Sequence, residues 1–498
     1  MSTITAPPSF LSTTRGKLTL ALLASVAFID FVDASIVNVA LPSIRRDLGF
    51  SVQDLQWVPS GYLLTYGGFM LLGGRAADLL GRRRVLVAGT MLIGIASLIG
   101  GLAQSSGLLV GARFAQGIGA AMMLPAALSI LTTEYREGRE RNTALGVWGA
   151  MGGLASAAGV LLGGLLTEGP GWRWVMFVNP IAVVLVLVAI FRLIPDDRRS
   201  AQLANFDITG SLLATGGMLL LVFGLVKAPG QGWGATSTIA ELAGAAALLL
   251  AFIGNEARRR NPLLPLSVFR IRGLAAADVT QLIAFAGFLS MFYFLTLYMQ
   301  NVLGWSPIQT GAAYLPLTFA VIVGAGVSSQ LMTRIGTRPL IVGGALIAAA
   351  GEYMLSRIPV DGSYVSDLLP GMLIMAFGLA PVFVAVTTAA NAGVPRDKAG
   401  LAAALLNSAQ QVGGALGLAV FSAVATSHTT QLLATGDSQA QALTSGFSRA
   451  LMASSFVLVA AAIAGLRTTN ARGEDATAAS DQPESALPAP RAARAPAA

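Results

Sequence analysis

The sequence predicts an all-α membrane protein that crosses the bilayer many times. Of its 498 residues, 54% are hydrophobic and only 11% are charged, and its mean hydropathy is +0.70. Soluble domains contain about a quarter charged residues, so a water-soluble core cannot cover so much apolar chain. Apolar stretches of about 20 residues, the length at which a helix spans a bilayer, recur from end to end.

Fourteen such spans can be delimited. They cover residues 18–41, 57–78, 85–103, 108–132, 144–166, 174–192, 207–226, 238–254, 274–298, 310–331, 339–356, 367–390, 400–425 and 447–466. An even number of spans places both termini on one side of the membrane. If that side is the cytoplasm, 25 of the 32 Lys and Arg residues lie there, as the positive-inside rule requires. We therefore predict a multi-pass plasma (inner) membrane protein with both termini cytoplasmic.

The composition argues against several other classes of protein. The net charge of +8 is what cytoplasmic loops rich in Lys and Arg produce, and since no RNA- or DNA-binding motif accompanies it, no nucleic acid is expected. The absence of cysteine excludes disulfides, thiolate metal sites and cysteine nucleophiles. No HExxH, GxSxG or nucleotide-binding loop occurs in the sequence, so no enzyme, ATP-driven pump, metal or cofactor is predicted.

A weak internal repeat divides the chain. Residues 74–83 resemble residues 329–338 at an offset of 255, which aligns Gly81 with Gly336 and lays span 5 onto span 13. The predicted domains are a cytoplasmic N-terminus (1–17), an N-terminal six-helix bundle (18–200), two inserted helices (201–256), a C-terminal six-helix bundle (257–466) and a disordered cytoplasmic tail (467–498). Two parallel halves with a site between them are a known transporter plan.

Three motifs together resemble a known family. Residues 74–84, GRAADLLGRRR, resemble the loop 2–3 signature of the major facilitator superfamily, and residues 113–121, RFAQGIGAA, resemble its span-4 motif. Residues 33–42, DASIVNVALP, are similar to the span-1 motif of its fourteen-span drug:proton antiporters, the EmrB/QacA-like branch. The resemblance implies a major facilitator fold with 14 transmembrane helices, two six-helix bundles plus two inserted helices, in a protein that exchanges small molecules for protons.

Asp33 is the first candidate for proton coupling. A charged side chain near the bilayer centre costs about 2.5–3.5 kcal/mol, and its proton affinity follows its surroundings. Asp30 lies three residues earlier on roughly the same helix face, where it either shares the proton or only lines the cavity. Asp33 and Arg113 lie about 12 and 8 Å inside the outer ends of their spans, so they are within reach of each other. The resemblance gives Arg113 a coupling role; the alternative is a structural bridge.

The loop between spans 2 and 3 predicts a cytoplasmic latch. The residues concerned are Gly74, Asp78, Gly81, Arg82 and Arg83. A carboxylate in this place can pair with a cation or face a helix N-terminus, and we expect it to close the cytoplasmic side in one conformation. The alternative is that the arginines only set the topology. The second copy has Thr333 in place of Asp78, which predicts a weaker latch there.

Span 5 carries the glycines of the antiporter motif, Gly159, Gly163 and Gly164. Val160 stands where the motif normally has proline, so the kink expected from that proline is softer. Small residues let helices approach closely. We expect spans 5 and 13 to meet between the two halves and to slide during transport; static packing is the alternative.

Aromatic and polar side chains predict a substrate cavity. The candidates are Tyr62, Tyr66, Asp278, Phe288, Phe292, Asn407, Gln410 and Gln411. Such a lining suits amphipathic, drug-like molecules, although aromatic residues at span ends also serve as lipid anchors. The predicted function is proton-coupled export by alternating access, carried out by a monomer in the lipid bilayer. A dedicated exporter of one natural product or lipid is the alternative, and a membrane enzyme is a remote one.

Overall fold

The computed structural model describes residues 10–51, 53–136, 139–196, 207–259, 262, 264–271, 273–392, 394 and 399–472. Across these ranges the regular structure is helical, with no β-strand. The long helices are α1 (Thr14–Leu48), α2 (Trp57–Leu80), α3 (Arg82–Gly101), α4 (Ser106–Glu134), α5 (Arg139–Glu168), α6 (Arg173–Leu193), α7 (Ile208–Gln231), α8 (Thr236–Arg258), α9 (Leu274–Asn301), α10 (Pro307–Ile335), α11 (Thr337–Leu355), α12 (Leu369–Asn391), α13 (Ala399–Ala434) and α14 (Gln439–Gly465). Helix α10 consists of two helical stretches, Pro307–Ala313 and Leu315–Ile335, separated at Tyr314.

Twelve of these helices, counted over the described residues, are long and apolar enough to cross a membrane. The other two are α2 and α5. Helix α2 is largely buried among its neighbours and carries Ser, Thr, Tyr and Gly along much of its length, so it has less need of an apolar surface toward lipid. In α5 the apolar stretch is the shorter Leu154–Glu168. The structure thus supports twelve spans, and the fourteen-span count stays a prediction.

The helices pack mainly within two groups, α1–α6 and α9–α14. In the first group α1 packs along α5, and α2 and α3 pack along α4; in the second, α9 packs along α13, and α10 and α11 pack along α12. Glycines permit these close approaches. A Cβ at Gly73 would overlap the carbonyl oxygen of Ala121 in α4, and one at Gly413 would overlap that of Leu282 in α9. The predicted boundary near residue 200 lies outside the described residues.

The internal repeat reappears as matching local geometry. Gly81 before α3 and Gly336 before α11 have φ values of +102° and +85°, a region that glycine adopts readily and other residues avoid. Two residues later, Arg83 donates to the carbonyl oxygen of Phe191 near the end of α6, at 3.4 Å. Arg338 donates in the same way to the carbonyl oxygen of Thr468 after α14, at 2.8 and 3.0 Å.

The first residues of the predicted disordered tail are ordered, which corrects that prediction for residues 467–472. The Thr337 backbone amide donates to the carbonyl oxygen of Ala471 at 3.0 Å, and its hydroxyl donates to that of Thr469 at 2.7 Å. The first turn of a helix has amides without acceptors inside the helix, and the carbonyl groups after α14 supply one for α11. Residues 473–498 lie outside the described residues.

The inserted pair lies beside both halves. Helix α8 packs chiefly on α7, while α7 packs on α2 of the first half and α13 of the second. The start of α7 and the end of α8 are joined through Asp207, which accepts hydrogen bonds from the Gly210 amide at 2.7 Å and from Asn255 at 2.8 Å. Burial of Asp207 acts to raise its pKa, but these hydrogen bonds and nearby Arg259 hold it below its usual range. Helix α7 therefore covers the junction between the halves.

The two halves meet mainly at two helix pairs, with a smaller contact between α1 and α9, where Gln300 donates to the carbonyl oxygen of Val39 at 2.9 Å. At one, Gly164 of α5 lies against Ile308 of α10, and Gly311 of α10 lies against Val160; at the other, α2 packs on α13. The predicted meeting of α5 with α13 is therefore wrong, since α5 meets α10. The reason is that Gly413 and its neighbours in α13 face α9 within their own half. The α5–α10 contact closes the molecule at the end where α1 and α5 finish.

Candidate proton-coupling site

A buried ion pair joins α1 to α4. Arg113 donates through Nη1 to Oδ2 of Asp33 at 2.7 Å, and the side chains are only 1% and 3% exposed. The similar depths deduced from the sequence thus do bring the two residues together. A pair of charges taken out of water needs close geometry and further hydrogen bonds to offset the loss of solvation.

Those further bonds come from two more helices and from the peptide backbone. Gln116 of α4 and Asn179 of α6 both donate to Oδ1 of Asp33. Arg113 also donates to the carbonyl oxygen of Val58 at 3.0 Å and to Gln116 at 3.0 Å. Ser97 of α3 accepts from Gln116 at 2.7 Å. Both Asp33 oxygens and the Nε and Nη1 atoms of Arg113 therefore have partners, and the cluster links α1, α2, α3, α4 and α6.

Asp30 sits in a different environment one helical turn away. It is 3% exposed, and its two oxygens accept hydrogen bonds from the hydroxyls of Tyr62 at 2.8 Å and Tyr66 at 3.1 Å. The Tyr62 ring in turn lies under the Arg113 guanidinium, 4.4 Å from ring centre to Cζ. Tyr62 therefore contacts Asp30 directly and Asp33 through Arg113. A change of charge at one carboxyl group thus alters the electrostatic environment of the other.

The network extends toward the second half through α2. The Tyr66 hydroxyl faces Gln411 of α13, and a Cβ on adjacent Gly67 would lie 3.1 Å from the Gln411 Cβ. Beside it, Gln281 of α9 donates to Gln410 at 2.7 Å. Polar side chains therefore continue from Asp30 across the α2–α13 junction.

The predicted latch residues lie at the α2–α3 connection, on the far side from the α5–α10 contact. Arg82 donates to the Thr133 hydroxyl of α4 at 2.7 Å, and Arg83 stacks on the Phe191 ring of α6 at 5.3 Å. Asp78 is exposed near the end of α2. The contacts of the two arginines described here lie within the first half.

The three span-5 glycines have two different neighbours. A Cβ at Gly159 would overlap the Ser35 hydroxyl of α1, and one at Gly163 would lie 2.6 Å from the carbonyl oxygen of Ile36. Gly164 instead faces α10, where a Cβ would lie 2.7 Å from the Ile308 Cα. The motif therefore joins α5 both to α1 and to the other half.

The predicted substrate residues do not form one lining. Tyr62 and Tyr66 are engaged with Asp30, while Phe288 packs against Phe292 at 5.0 Å and Phe292 stacks on Tyr314 at 4.4 Å. Asn407 donates to the carbonyl oxygen of Ala403 one turn earlier in α13. Asp278 is 9% exposed, and neither of its oxygens has a hydrogen-bond partner in the described part of the chain. These residues are spread along α2, α9 and α13.

Three residues of the cluster were not predicted as site residues. Ser97, Gln116 and Asn179 surround Asp33, yet only Gln116 stood in a motif. Asn179 precedes Pro180 inside an otherwise apolar helix, and a lone polar side chain in such a segment is a signal that was available. Ser97 gave no such sequence signal, because the hydroxyl of a serine inside a membrane helix commonly donates a hydrogen bond to a backbone carbonyl of its own helix.

The comparisons with known proteins agree on one family. The model of the Major Facilitator Superfamily matches residues 23–418. The puromycin resistance protein of Streptomyces alboniger is 40% identical over 418 residues, 83% of this chain and 83% of its own length. The cephamycin export protein of Amycolatopsis lactamdurans is 38% identical over 420 residues, 84% of this chain and 86% of its own length. The tetracenomycin C resistance and export protein of Streptomyces glaucescens is 37% identical over 409 residues, 82% of this chain and 76% of its own length.

Solved structures share the fold at low sequence identity. A bacterial homologue of the human lysosomal transporter Spinster, in an inward-facing and unoccupied conformation, superposes with a TM-score of 0.65 at 18% identity, covering 91% of this chain and 97% of its own. The POT family transporter PepTSo gives 0.64 at 15% identity, with 90% and 98% covered. The match over most of the sequence, the relatives and the shared fold show that this chain belongs to the Major Facilitator Superfamily, a family of transporters.

Proposed function

We propose that the protein exports amphipathic, drug-like compounds from the cytoplasm in exchange for protons, by alternating access. The observation that carries the proposal is the buried Asp33–Arg113 pair, 2.7 Å long and set in an apolar bundle. Such groups are expensive inside a membrane and typically mark proton or substrate pathways. The names of the relatives, which refer to antibiotic resistance and export, support the choice of cargo.

The proposed coupling begins with a proton on Asp33. A neutral Asp33 no longer attracts Arg113 as an anion does. The guanidinium therefore moves toward its other partners, which are Gln116, the Val58 carbonyl and the Tyr62 ring. Because Tyr62 also holds Asp30, the shift reaches the α2–α13 junction through Tyr66. A ligand or proton moves a conformational equilibrium only by its difference in affinity between the two states, and this network provides a structural basis for such a difference.

The other predicted site residues complete the proposal. Gly74, Asp78, Gly81, Arg82 and Arg83 form the latch on the cytoplasmic side, and Gly159, Gly163 and Gly164 allow α5 to move against α1 and α10. Tyr62, Tyr66, Asp278, Phe288, Phe292, Asn407, Gln410 and Gln411 contact substrate when the halves part. The protein is a monomer in the plasma membrane with fourteen spans, α2 and α5 included.

A second candidate function is the export of one natural product. Three relatives are each named for a single antibiotic, namely puromycin, cephamycin and tetracenomycin C. A dedicated exporter would use the same proton site with a more selective cavity. The two candidates differ in the breadth of compounds transported, not in the coupling machinery.

The function is tested with purified protein in vesicles that enclose a pH indicator. Puromycin and the lipophilic cation ethidium are added in turn under a clamped membrane potential. We expect each compound to cause proton movement opposite to its own, and the response to vanish with a protonophore. A response to puromycin alone would favour the dedicated exporter. Transport of compound without any proton movement, or no transport of either compound, would contradict the proposal.

The orientation is tested by labelling single cysteines, since the chain has none of its own. Arg334, in the last turn of α10, and Asp361, in the loop after α11, are both exposed and lie beyond opposite ends of α11. In intact cells, a membrane-impermeant maleimide should label Asp361→Cys and should label Arg334→Cys only after the cells are opened. The reverse pattern would place the termini outside. Arg259 is less suitable as a labelling site because it pairs with Asp207 at 3.3 Å.

A further inference from the structure

A second acidic side chain is buried in the other half of the molecule. Glu352 of α11 is 0% exposed. The Ser454 hydroxyl of α14 lies beside its carboxyl group, and among the described residues neither Glu352 oxygen has a hydrogen bond of regular geometry. On the third side is α9, where a Cβ at Gly287 would lie 3.3 Å from Oε2.

The internal repeat gives this position a counterpart. The 255-residue offset that aligns Gly81 with Gly336 places Glu352 on Ser97 and Gly287 on Val32, the neighbour of Asp33. Ser97 belongs to the cluster around Asp33 through its bonds with Gln116 and Asn179. Glu352 thus stands at the α11 position that corresponds to Ser97 of α3, while Phe288 of α9 corresponds to Asp33.

The counterpart differs in one respect that changes its chemistry. The same offset places Leu368 where Arg113 stands and Gly371 where Gln116 stands. The second half therefore has the acid without the arginine. An unpaired carboxylate in an apolar interior is strongly disfavoured relative to the neutral acid, so Glu352 holds a proton in this conformation and loses it only when water or a polar partner reaches it.

Other charged or titratable side chains on the surrounding helices are directed elsewhere. They are Asp278, Tyr293 and Tyr298 of α9, Tyr314 and Arg334 of α10, Arg338 and Tyr353 of α11, Tyr364 and Asp367 before α12, and Arg449 of α14. None of them is hydrogen-bonded or ion-paired to Glu352 in the described part of the chain.

An open cavity lies at the end of α11, one helical turn beyond Glu352. It has a volume of about 500 Å³ and is lined by Ser356, Met452, Arg449 and His428 among others. Ser356 is one turn beyond Glu352 on the same face of α11, a rise of about 6 Å. His428 of α13 accepts a hydrogen bond from Arg449 at 3.2 Å. A proton in this cavity would have about one helical turn left to cross to reach Glu352.

We propose that Glu352 is a second proton-binding site, in the C-terminal half, loaded from the outer cavity and used in addition to Asp33. This inference rests on the proposed function. It makes the exporter a carrier of more than one proton per cycle, with one carboxyl in each half. Since each coupled proton contributes a factor of ten to the limiting substrate gradient per pH unit, the second site allows export against a steeper gradient.

The test compares Glu352→Gln with wild type in reconstituted vesicles, with ethidium as the probe and the membrane potential clamped. The limiting ethidium gradient at one pH unit should fall about tenfold in the variant. Without any probe, the purified variant should take up one proton fewer per molecule over a titration from alkaline to acidic pH. Glu352→Asp should restore both readings if it packs as wild type does. Glu241→Gln, which alters a half-buried carboxyl of α8, is the matched control for the limiting gradient, which it should leave unchanged.

The outcomes separate this inference from the function on which it rests. If Glu352→Gln keeps the wild-type gradient and proton count while Asp33→Asn forms no gradient, Glu352 is a permanently neutral structural acid and the inference is overturned. A slower rate with an unchanged limiting gradient leads to the same conclusion. If Asp33→Asn also behaves as wild type, the proposed proton coupling itself fails.

Discussion

Replacing Asp33 by Asn is expected to abolish proton-coupled export and to destabilise the protein by about 3–5 kcal/mol, the usual result of breaking a buried ion pair. The loss of coupling follows because Asn cannot take up or release the proton. The loss of stability follows because Arg113, which is 1% exposed, keeps its charge under all conditions. Its remaining partners, Gln116 and the Val58 carbonyl, are neutral.

The reciprocal change should be milder for stability and equally severe for transport. In Arg113→Met, Asp33 can become neutral by binding a proton, so no unpaired charge has to stay buried. The double variant should regain most of the stability that Asp33→Asn loses, because neither charge is left. It should export no less than either single variant, since the two residues act as one unit.

The measurements are unfolding temperature in detergent and compound-induced proton movement in vesicles. Asp47→Asn is the matched control: Asp47 also joins α1 to an arginine, Arg173, but the two side chains are 44% and 37% exposed. Exposed pairs contribute about 0–1 kcal/mol, so this variant should keep its stability and coupling. If Asp33→Asn were as stable and as well coupled as Asp47→Asn, the buried pair would be neither a structural nor a coupling element.

Replacing Gly164 by Leu is expected to hold the molecule open at the α5–α10 contact and to lower export at least about tenfold. A Cβ at Gly164 would lie 2.7 Å from the Ile308 Cα and 2.8 Å from the Pro307 carbonyl oxygen, so the helices have to separate. Overpacking of this kind costs about 1–3 kcal/mol, and 1.4 kcal/mol changes a conformational ratio tenfold. Because only the state closed at this end contains the contact, only that state is destabilised.

Spin labels at Leu102→Cys and Val360→Cys report the separation directly, as both positions are exposed, 61% and 36%, near the same end of the two halves. The distance between the labels should shift to longer values in Gly164→Leu. Gly111→Leu in α4 is the control, because a Cβ at Gly111 meets no atom within 4 Å. Unchanged distances together with wild-type export would show that the α5–α10 contact does not close this end.

Much of the architecture could be predicted from the one-dimensional pattern of apolar residues. Helix length and membrane insertion depend on local composition, so every predicted span coincides with a helix. The first helix extends beyond its span at both ends, because Thr13 caps it before Thr14 and Gly49 ends it. The pairing of Asp33 with Arg113 could also be predicted, since a rise of 1.5 Å per residue converts the position of a residue in its span into its depth in the membrane.

Which neighbouring helix each helix face contacts could not be predicted in the same way. The glycines of α5 and α13 look equivalent in sequence, yet Gly164 meets the other half while Gly413 meets Leu282 of its own. Rotation of a helix about its axis is set by all its neighbours at once, and a repeat of small residues does not say which neighbour each one faces. The ordered segment after α14 depends on the start of α11, more than 130 residues earlier in the chain.

The sequence by itself determined the class of the molecule, its resemblance to a transporter family and the two residues of its central ion pair, Asp33 and Arg113. It could do so because composition, motif and depth are properties of single segments. Only the tertiary structure decided that Ser97, Gln116 and Asn179 complete the site around Asp33, that Tyr62 joins it to Asp30, and that Glu352 is fully buried beside Ser454. Burial and hydrogen bonding are relations among helices far apart in the chain, and they exist only once the helices have packed.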